Sequence, residues 1–297
     1  MSSAPGNGGP ADGGPASCAS SSQAHAGAAH PRRARWEGRS AATWARRLSV
    51  ATVEFHARIG STNDRARALM REESPAPALV VADRQSAGKG RRGRHWHSDT
   101  SSGLWFTVVR SAAEGGAEVL PLRAGLAAAR GIEAAVPGLS IALKWPNDLF
   151  ANGRKLGGVL CERAGEWVLV GIGLNLNQRR DELPSGLTPP ATSVALETGH
   201  AATRGRVLAA VMDALHPVWS RPGPPIPPDE LAELQSRSLL NGRSLSVDGV
   251  VRHSSHGPRT VEGLSATAVR LCSDGSLEVR VDAGTRLRVV AGSVVLK

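Results

Sequence analysis

The chain has no tyrosine, and aromatic residues make up only 3% of its 297 positions. A surface that stacks nucleobases needs aromatic side chains spread across it, so that reading starts with little support. Cysteine is scarce too: Cys18, Cys161 and Cys272 lie far apart and form no C-x-x-C pair. This excludes a disulfide framework and a thiolate zinc site. His95 and His97 flank Trp96, but no third ligand is suitably spaced, so no protein metal cage is expected. No apolar run approaches the length of a membrane span, so no membrane partner is expected. Residues 1–40 contain no Leu, Ile, Val or Phe. Such a segment lacks the apolar centre of a secretory signal and the large side chains of a core, so it reads as a disordered tail on a cytoplasmic protein.

Lysine is the other shortage. Only Lys89, Lys144, Lys155 and Lys297 occur among 36 basic residues, so arginine carries most of the formal charge of +10. A charge of that size invites a nucleic-acid partner. The arginine bias runs along the whole chain, however, beside abundant Ala, Gly and Pro, and reads as compositional. The lysines are therefore the informative cations, and three of them fall between residues 89 and 155.

The hydrophobic pattern predicts helix over 42–48, strand over 52–59, and a helix after the caps Ser61 and Thr62. Strands are expected over 78–83 and 104–109, and a helix over 120–136. IALKWPNDLF then runs to Asn152-Gly153, a strong hairpin signal, and KLGGVLCE returns. In WVLVGIGLNLN, Val168, Val170, Ile172, Leu174 and Leu176 share one face, while Leu169, Gly171, Gly173 and Asn175 share the other. The second face is bare enough for a ligand to lie against the backbone. A helix from Thr203, a proline-rich linker and a connecting helix over 229–240 lead to short alternating runs from Arg243 onward. Turn signals at Asp248-Gly249, Asp274-Gly275 and Ala283-Gly284 make these a small antiparallel barrel of about five strands. The predicted organisation is a tail (1–40), a catalytic domain (41–235) and the barrel (236–297).

QSAGKGRRGRHW (85–96) contains G-x-G-x-x-G, a weak signal alone. No helix follows it, as a dinucleotide fold requires; no H-R-D or D-F-G marks a kinase; and Gly88-Lys89 is followed by glycine, not by Ser or Thr. What remains is chemical. Arg84, Lys89, Arg91, Arg92 and Arg94 place five cations in eleven residues without a carboxylate, among glycines that let the backbone bend around an anion. Nucleic-acid phosphate and a nucleotide triphosphate both fit that description. A second cluster, KWPNDLF with GRKLGGVLCE, is more than a solvated basic turn explains.

GSTND, QSAGKGRRGRHW, KWPNDLF, RKLGGVLCE and GIGLNLN occur in the order and spacing found in biotin–protein ligases, and ATSVALETG and the C-terminal segment also resemble that family. The resemblance covers roughly residues 45–297. It implies an α/β catalytic domain, a mixed and largely antiparallel sheet flanked by helices, of the class II aminoacyl-tRNA synthetase-like biotin/lipoate ligase type, followed by an SH3-like barrel. It further implies ATP-dependent formation of biotinyl-5′-AMP, and transfer of biotin to a lysine of a biotin carboxyl carrier protein domain. By similarity, Ser61, Thr62 and Asn63 would hold the ureido ring, and Gln85, Gly88, Lys89, Gly90 and Arg91 would wrap the carboxylate and α-phosphate. Lys155 would sit on the carboxylate, while Gly158 and Gly173 would let the bicyclic ring approach the sheet. Trp96 and Asn175 would hold the adenine, and Lys144, Asn147 and Asp148 the ribose-phosphate and Mg²⁺, with Arg94 near the triphosphate. Arg91, Lys155, Lys144 and Asp148 are the expected catalytic groups. Mg²⁺ would be held mainly by nucleotide oxygens and water. Lys89 departs from the family loop, which usually carries arginine there, and so loses a bidentate fork. Residues 1–40 cannot form the DNA-binding helix-turn-helix that some members carry, so no DNA partner is expected; a homodimer is compatible with the sequence. A lipoate or octanoate ligase of the same fold and a basic nucleic-acid-binding module are the alternatives.

Overall fold

Alternating and continuous apolar runs become strands, and 3.6-period runs become helices, in the computed structural model, which describes residues 32–72, 74, 76–111, 118–220, 223–253, 256–282 and 284–297. The first half contains β1 (Arg35–Trp36), β2 (Arg39–Ser40), α1 (Ala41–Leu48), β3 (Thr52–Ile59), α2 (Thr62–Arg71), β4 (Ala78–Gln85), β5 (Leu104–Ser111) and α3 (Leu120–Ala135). Then come β6 (Ala142–Lys144), β7 (Asp148–Ala151), β8 (Arg154–Ala164), β9 (Trp167–Leu174), α4 (Val194–Thr198), α5 (Arg204–Ser220) and α6 (Pro228–Ser236). The chain ends with β10 (Ser244–His253), β11 (His256–Leu271), β12 (Leu277–Val281) and β13 (Thr285–Leu296).

Seven strands form one mixed sheet in the order β3-β4-β5-β9-β8-β7-β6, and only β3 and β4 run parallel. Its continuous apolar strands, such as ALVVAD, are buried because both faces are covered. On one side Trp44, Leu126, Ile132, Val211 and Leu215 from α1, α3 and α5 pack on Phe55, Val81, Phe106 and Val170. On the other, Ala66 and Leu69 of α2 pack on Val80, Ala82, Val109 and Leu169. The expected strand through IALKWPNDLF is divided, because Trp145-Pro146-Asn147 turns the chain and pairs Lys144 with Asp148. Asn152 and Gly153 follow with φ of 47° and 72°, the left-handed pair a two-residue hairpin requires.

The C-terminal strands close into a barrel of four, β10-β11-β12-β13, and not the expected five. The turn expected at Asp248-Gly249 does not form, since both residues lie within β10, and the segment 256–271 follows undivided. It is one long strand whose bulges let it serve both neighbours. The turn expected at Ala283-Gly284 falls partly outside the described residues.

Residues 1–31 of the expected tail also lie outside the described residues, but residues 32–40 fold onto the catalytic domain. The tail boundary at 40 is therefore corrected, and the overlooked signal is Trp36. It is 3% exposed, stacks on Phe55 with ring centroids 5.7 Å apart, and donates its indole N–H to Asp83. Arg33 N–H bonds Phe55 O, and Arg32 pairs with buried Glu54. Burial pushes the Glu54 carboxyl up, but hydrogen bonds from Arg65 and His56 outweigh it and hold the group down at about 2. At the far edge of the sheet, Leu143 exchanges backbone bonds with Arg237 and Leu239 of the linker to the barrel. Comparing a chain that begins at residue 32 with one that begins at residue 41 isolates the arm. The shorter chain is expected to lose about 3 kcal/mol in urea denaturation, the scale of emptying a buried tryptophan site. Equal midpoints for the two chains would show that the arm is dispensable to the fold.

Candidate active site

The site forms where the start of α2 meets the bare face of β9. Trp105 and Thr107 of β5, Gly158, Leu160 and Glu162 of β8, and Gly171 and Gly173 of β9 share this face, in register. The glycines are required by what lies on them. A Cβ on Gly171 would sit 2.2 Å from Asn63 Oδ1, and one on Gly173 would sit 2.7 Å from Trp96 Nε1.

Ser61, Thr62 and Asn63 are buried at the helix start. Ser61 is the N-cap residue, but its hydroxyl makes no cap bond, and the Thr62 N–H is instead taken by Gln85 Oε1 at 2.7 Å. Thr62 Oγ1 also donates to Gln85 Oε1, and Gln85 Nε2 donates to Ser98 Oγ. Asn63 is fixed at both ends: Thr107 Oγ1 donates to its Oδ1 at 2.6 Å, and its Nδ2 donates to Glu162 Oε2 at 2.6 Å. Gln85 thus joins the start of the glycine loop to the helix-start network. Thr107 and Glu162 were missed. The available signal was slight: Thr107 is the one polar residue of LWFTVV, and Glu162 follows Gly158 on β8 at a spacing of four, which keeps it on the same face.

The cations gather further along the same face. Lys155 Nζ lies 2.8 Å from Asp148 Oδ1 and 5.4 Å from the centre of the Trp96 ring. Asn147 donates through Nδ2 to Val159 O, and Arg91 Nη1 lies 3.4 Å from Asn147 Oδ1. Burial pushes the Lys144 ammonium down against the pull of Asp148, while Lys155 and Arg94 add repulsion. Burial likewise pushes Arg91 down, with Arg92 and Arg94 adding to it and Asp148 opposing. These are cations crowded together beside a single carboxylate, an arrangement an incoming anion relieves.

The glycine loop closes on itself through Trp96 N–H to Gly88 O and Gly90 N–H to Arg94 O, around a 3₁₀ turn at Arg91–Gly93. Gly88 admits no side chain, since a Cβ there would lie 2.3 Å from Ser98 Oγ. Lys89 does not join the cluster. Its ammonium pairs with Asp64 of α2 at 2.6 Å, an outward contact the sequence reading did not foresee. Trp96 packs edge-on against Trp105, and its buried indole N–H has no partner. Asn175 is turned inward: its Nδ2 donates to Thr192 O, and its Oδ1 faces Gln178 Nε2 at 3.4 Å. His95 and His97 are exposed, and among the described residues no three His, Cys, Asp or Glu side chains group to hold a metal. Burial pushes the Cys161 thiol up, away from the thiolate form. Among the described residues no helix is long and apolar enough to cross a membrane.

The site thus has two walls, a polar network at a helix start and a cation cluster beside a glycine-faced sheet, on a mixed-sheet domain with an appended barrel. Residues 55–177 match the biotin/lipoate A/B protein ligase family. A biotin–[acetyl-CoA-carboxylase] ligase of Mycobacterium tuberculosis is 34% identical over 248 residues, covering 78% of this chain and 87% of the relative. A bifunctional ligase/repressor of Bacillus spizizenii is 37% identical over 161 residues, covering 52% of this chain and 49% of that protein. The chain thus spans about half the length of the Bacillus relative it matches. The biotin protein ligase of Aquifex aeolicus, solved in complex with biotin and ATP, superposes with a TM-score of 0.65 at 26% identity, over 83% of this chain and 98% of that one. The chain belongs to the biotin–protein ligase family.

Proposed function

We propose that the chain activates biotin with ATP and transfers it to a lysine of a biotin carboxyl carrier protein domain. The observation that carries this reading is the joining of two unlike recognition surfaces on one glycine-faced stretch of sheet. Ser61, Thr62 and Asn63, backed by Thr107 and Gln85, suit a small ring with amide donors and acceptors. Lys155, Lys144, Arg91 and Arg94 suit the two anions that must meet. The biotin carboxylate attacks the α-phosphorus, the bond to the β-phosphate oxygen breaks, and pyrophosphate leaves. Lys155 neutralises the carboxylate, while Arg91 and Lys144 stabilise charge building on the phosphoryl oxygens. The carrier amine then attacks the acyl carbon of the mixed anhydride, and AMP leaves. Gly158 admits the ring to the sheet, Gly173 admits the Trp96 indole that lies on it, Gly88 and Gly90 shape the loop over the phosphate, and Trp96 lines the base. Lys89 remains paired with Asp64 and acts only on the loop's position.

Mg²⁺ fits this donor set as a nucleotide-borne ion. Asp148 with Asn147 would border it, and its chemistry is to neutralise phosphate charge. A single carboxylate already paired to Lys155 does not fit a protein cage. The deciding assay measures pyrophosphate release with biotin, then with lipoate, with and without a carrier domain. Biotin-dependent release and carrier labelling are expected. Release driven by lipoate, or by neither acid, would overturn the reading.

A further inference from the structure

We propose that the C-terminal barrel is the surface against which the glycine loop closes, and that Arg92 is the positioning residue that latches the loop to it. Arg92 Nη1 donates to Ser293 Oγ at 3.0 Å, and its Nη2 donates to Asp248 O at 3.1 Å. Next to it, Arg91 Nη1 donates to Gly292 O at 3.1 Å while facing Asn147 in the site. Two consecutive arginines of the loop thus meet one small patch of the barrel, and one of them also touches the cation cluster.

The barrel is built to offer these acceptors. Its β10–β11 register slips across Asp248, which pairs with no residue of β11 and whose Oδ1 accepts the Gly263 N–H. Such an irregularity takes backbone groups out of the ladder. On the other side Gly249 faces Gly292, and Gly292 has φ of 145°, in the region that favours glycine. A Cβ there would lie 2.3 Å from Asp248 O. Arg92 itself holds a left-handed φ of 57°, which a long side chain adopts only when something keeps it there. None of the three barrel acceptors is a carboxylate. Bonds from guanidinium to neutral oxygens at an exposed surface are moderate and can open, as a lid that admits substrates and releases product requires. Retention of an acyl-adenylate then depends on the barrel as well as on the catalytic sheet; that consequence rests on the function proposed above.

Ser293→Ala tests the latch without altering the loop or any site residue, and Arg92→Ala tests it from the other side. Hydrogen exchange of the 88–96 amides, measured on the substrate-free protein, is expected to rise about threefold in each variant, the scale of an exposed charged contact. The double variant should match Arg92→Ala, because losing Arg92 already removes the Ser293 bond along with that to Asp248 O. Amides of α3 serve as the fold control and should not change. Preformed biotinyl-adenylate should dissociate about threefold faster from Arg92→Ala, with partial rescue by Arg92→Lys, which keeps one donor head. Wild-type exchange in the loop, independent addition of the two substitutions, or adenylate release at the wild-type rate would each overturn the proposal. If the wild-type protein makes no biotinyl-adenylate at all, the function proposed above fails, and the exchange experiment still decides the latch.

Discussion

Lys155→Ala is expected to remove most biotin activation while leaving the fold in place. Lys155 stands on β8 beside Gly157 and Gly158, its ammonium 2.8 Å from Asp148 Oδ1 and over the face of Trp96. The Asp148 pair is partly exposed, so its loss costs stability less than about 1 kcal/mol. Losing a charge-assisted contact to a bound carboxylate costs about 1.5–3 kcal/mol. That corresponds to roughly a 10- to 150-fold weaker hold on biotin, and the defect in rate is larger where the loop excludes water. Asp148, released from its partner, adds repulsion against the same carboxylate. Calorimetric titration with biotin, beside biotin-dependent pyrophosphate exchange, measures both effects. Unchanged affinity for biotin and for biotinyl-adenylate would take Lys155 out of the site.

Arg91→Gly is expected to separate the two chemical steps. The guanidinium faces Asn147 Oδ1 and donates to Gly292 O, so one side chain ties the loop to the site and to the barrel. Glycine at 91 would sit between Gly90 and Gly93 and free a backbone that the side chain now holds. The sheet, the helix-start network and Lys155 stay in place, so the adenylate still forms, more slowly. A contact worth about 2 kcal/mol corresponds to roughly thirtyfold faster loss of the intermediate. Released adenylate then acylates bystander lysines while carrier labelling falls. The measurement is dissociation of preformed adenylate into excess unlabelled competitor. Equal rates for variant and wild type would show that Arg91 does not retain the intermediate. The effect should exceed that of Arg92→Ala, since Arg91 alone touches both surfaces.

Much of this architecture was legible from residue pattern. Strands such as TVEFHARI and LWFTVV announce themselves by branched and aromatic residues, and the Asn152-Gly153 turn by its left-handed pair. The bare face of WVLVGIGLNLN was legible because a period of two leaves only one reading of which residues share a face. The partners across that face were not legible. Thr107 and Glu162 matter because β5, β8 and β9 lie side by side, and a strand's neighbours are set by the whole sheet. Gln85 and Lys89 stand three residues apart in sequence distance from Gly88 and one from it, respectively, yet one turns under α2 and the other outward to Asp64. Loop direction at glycine is a tertiary result. The arm escaped because one tryptophan, Trp36, outweighs the polar composition around it.

Both margins of the seven-stranded sheet are occupied by the chain's own backbone: Arg32 and Arg33 lie along the middle of β3, and Arg237–Leu239 along β6. Unpaired margins are templates on which another strand can grow, and here neither invites one. Two copies that met sheet to sheet, strand beside strand, would first have to peel away the arm or the barrel linker. Self-association by that route carries the cost of partial unfolding, so the arm at one margin and the barrel linker at the other guard the protein against polymerising through its sheet.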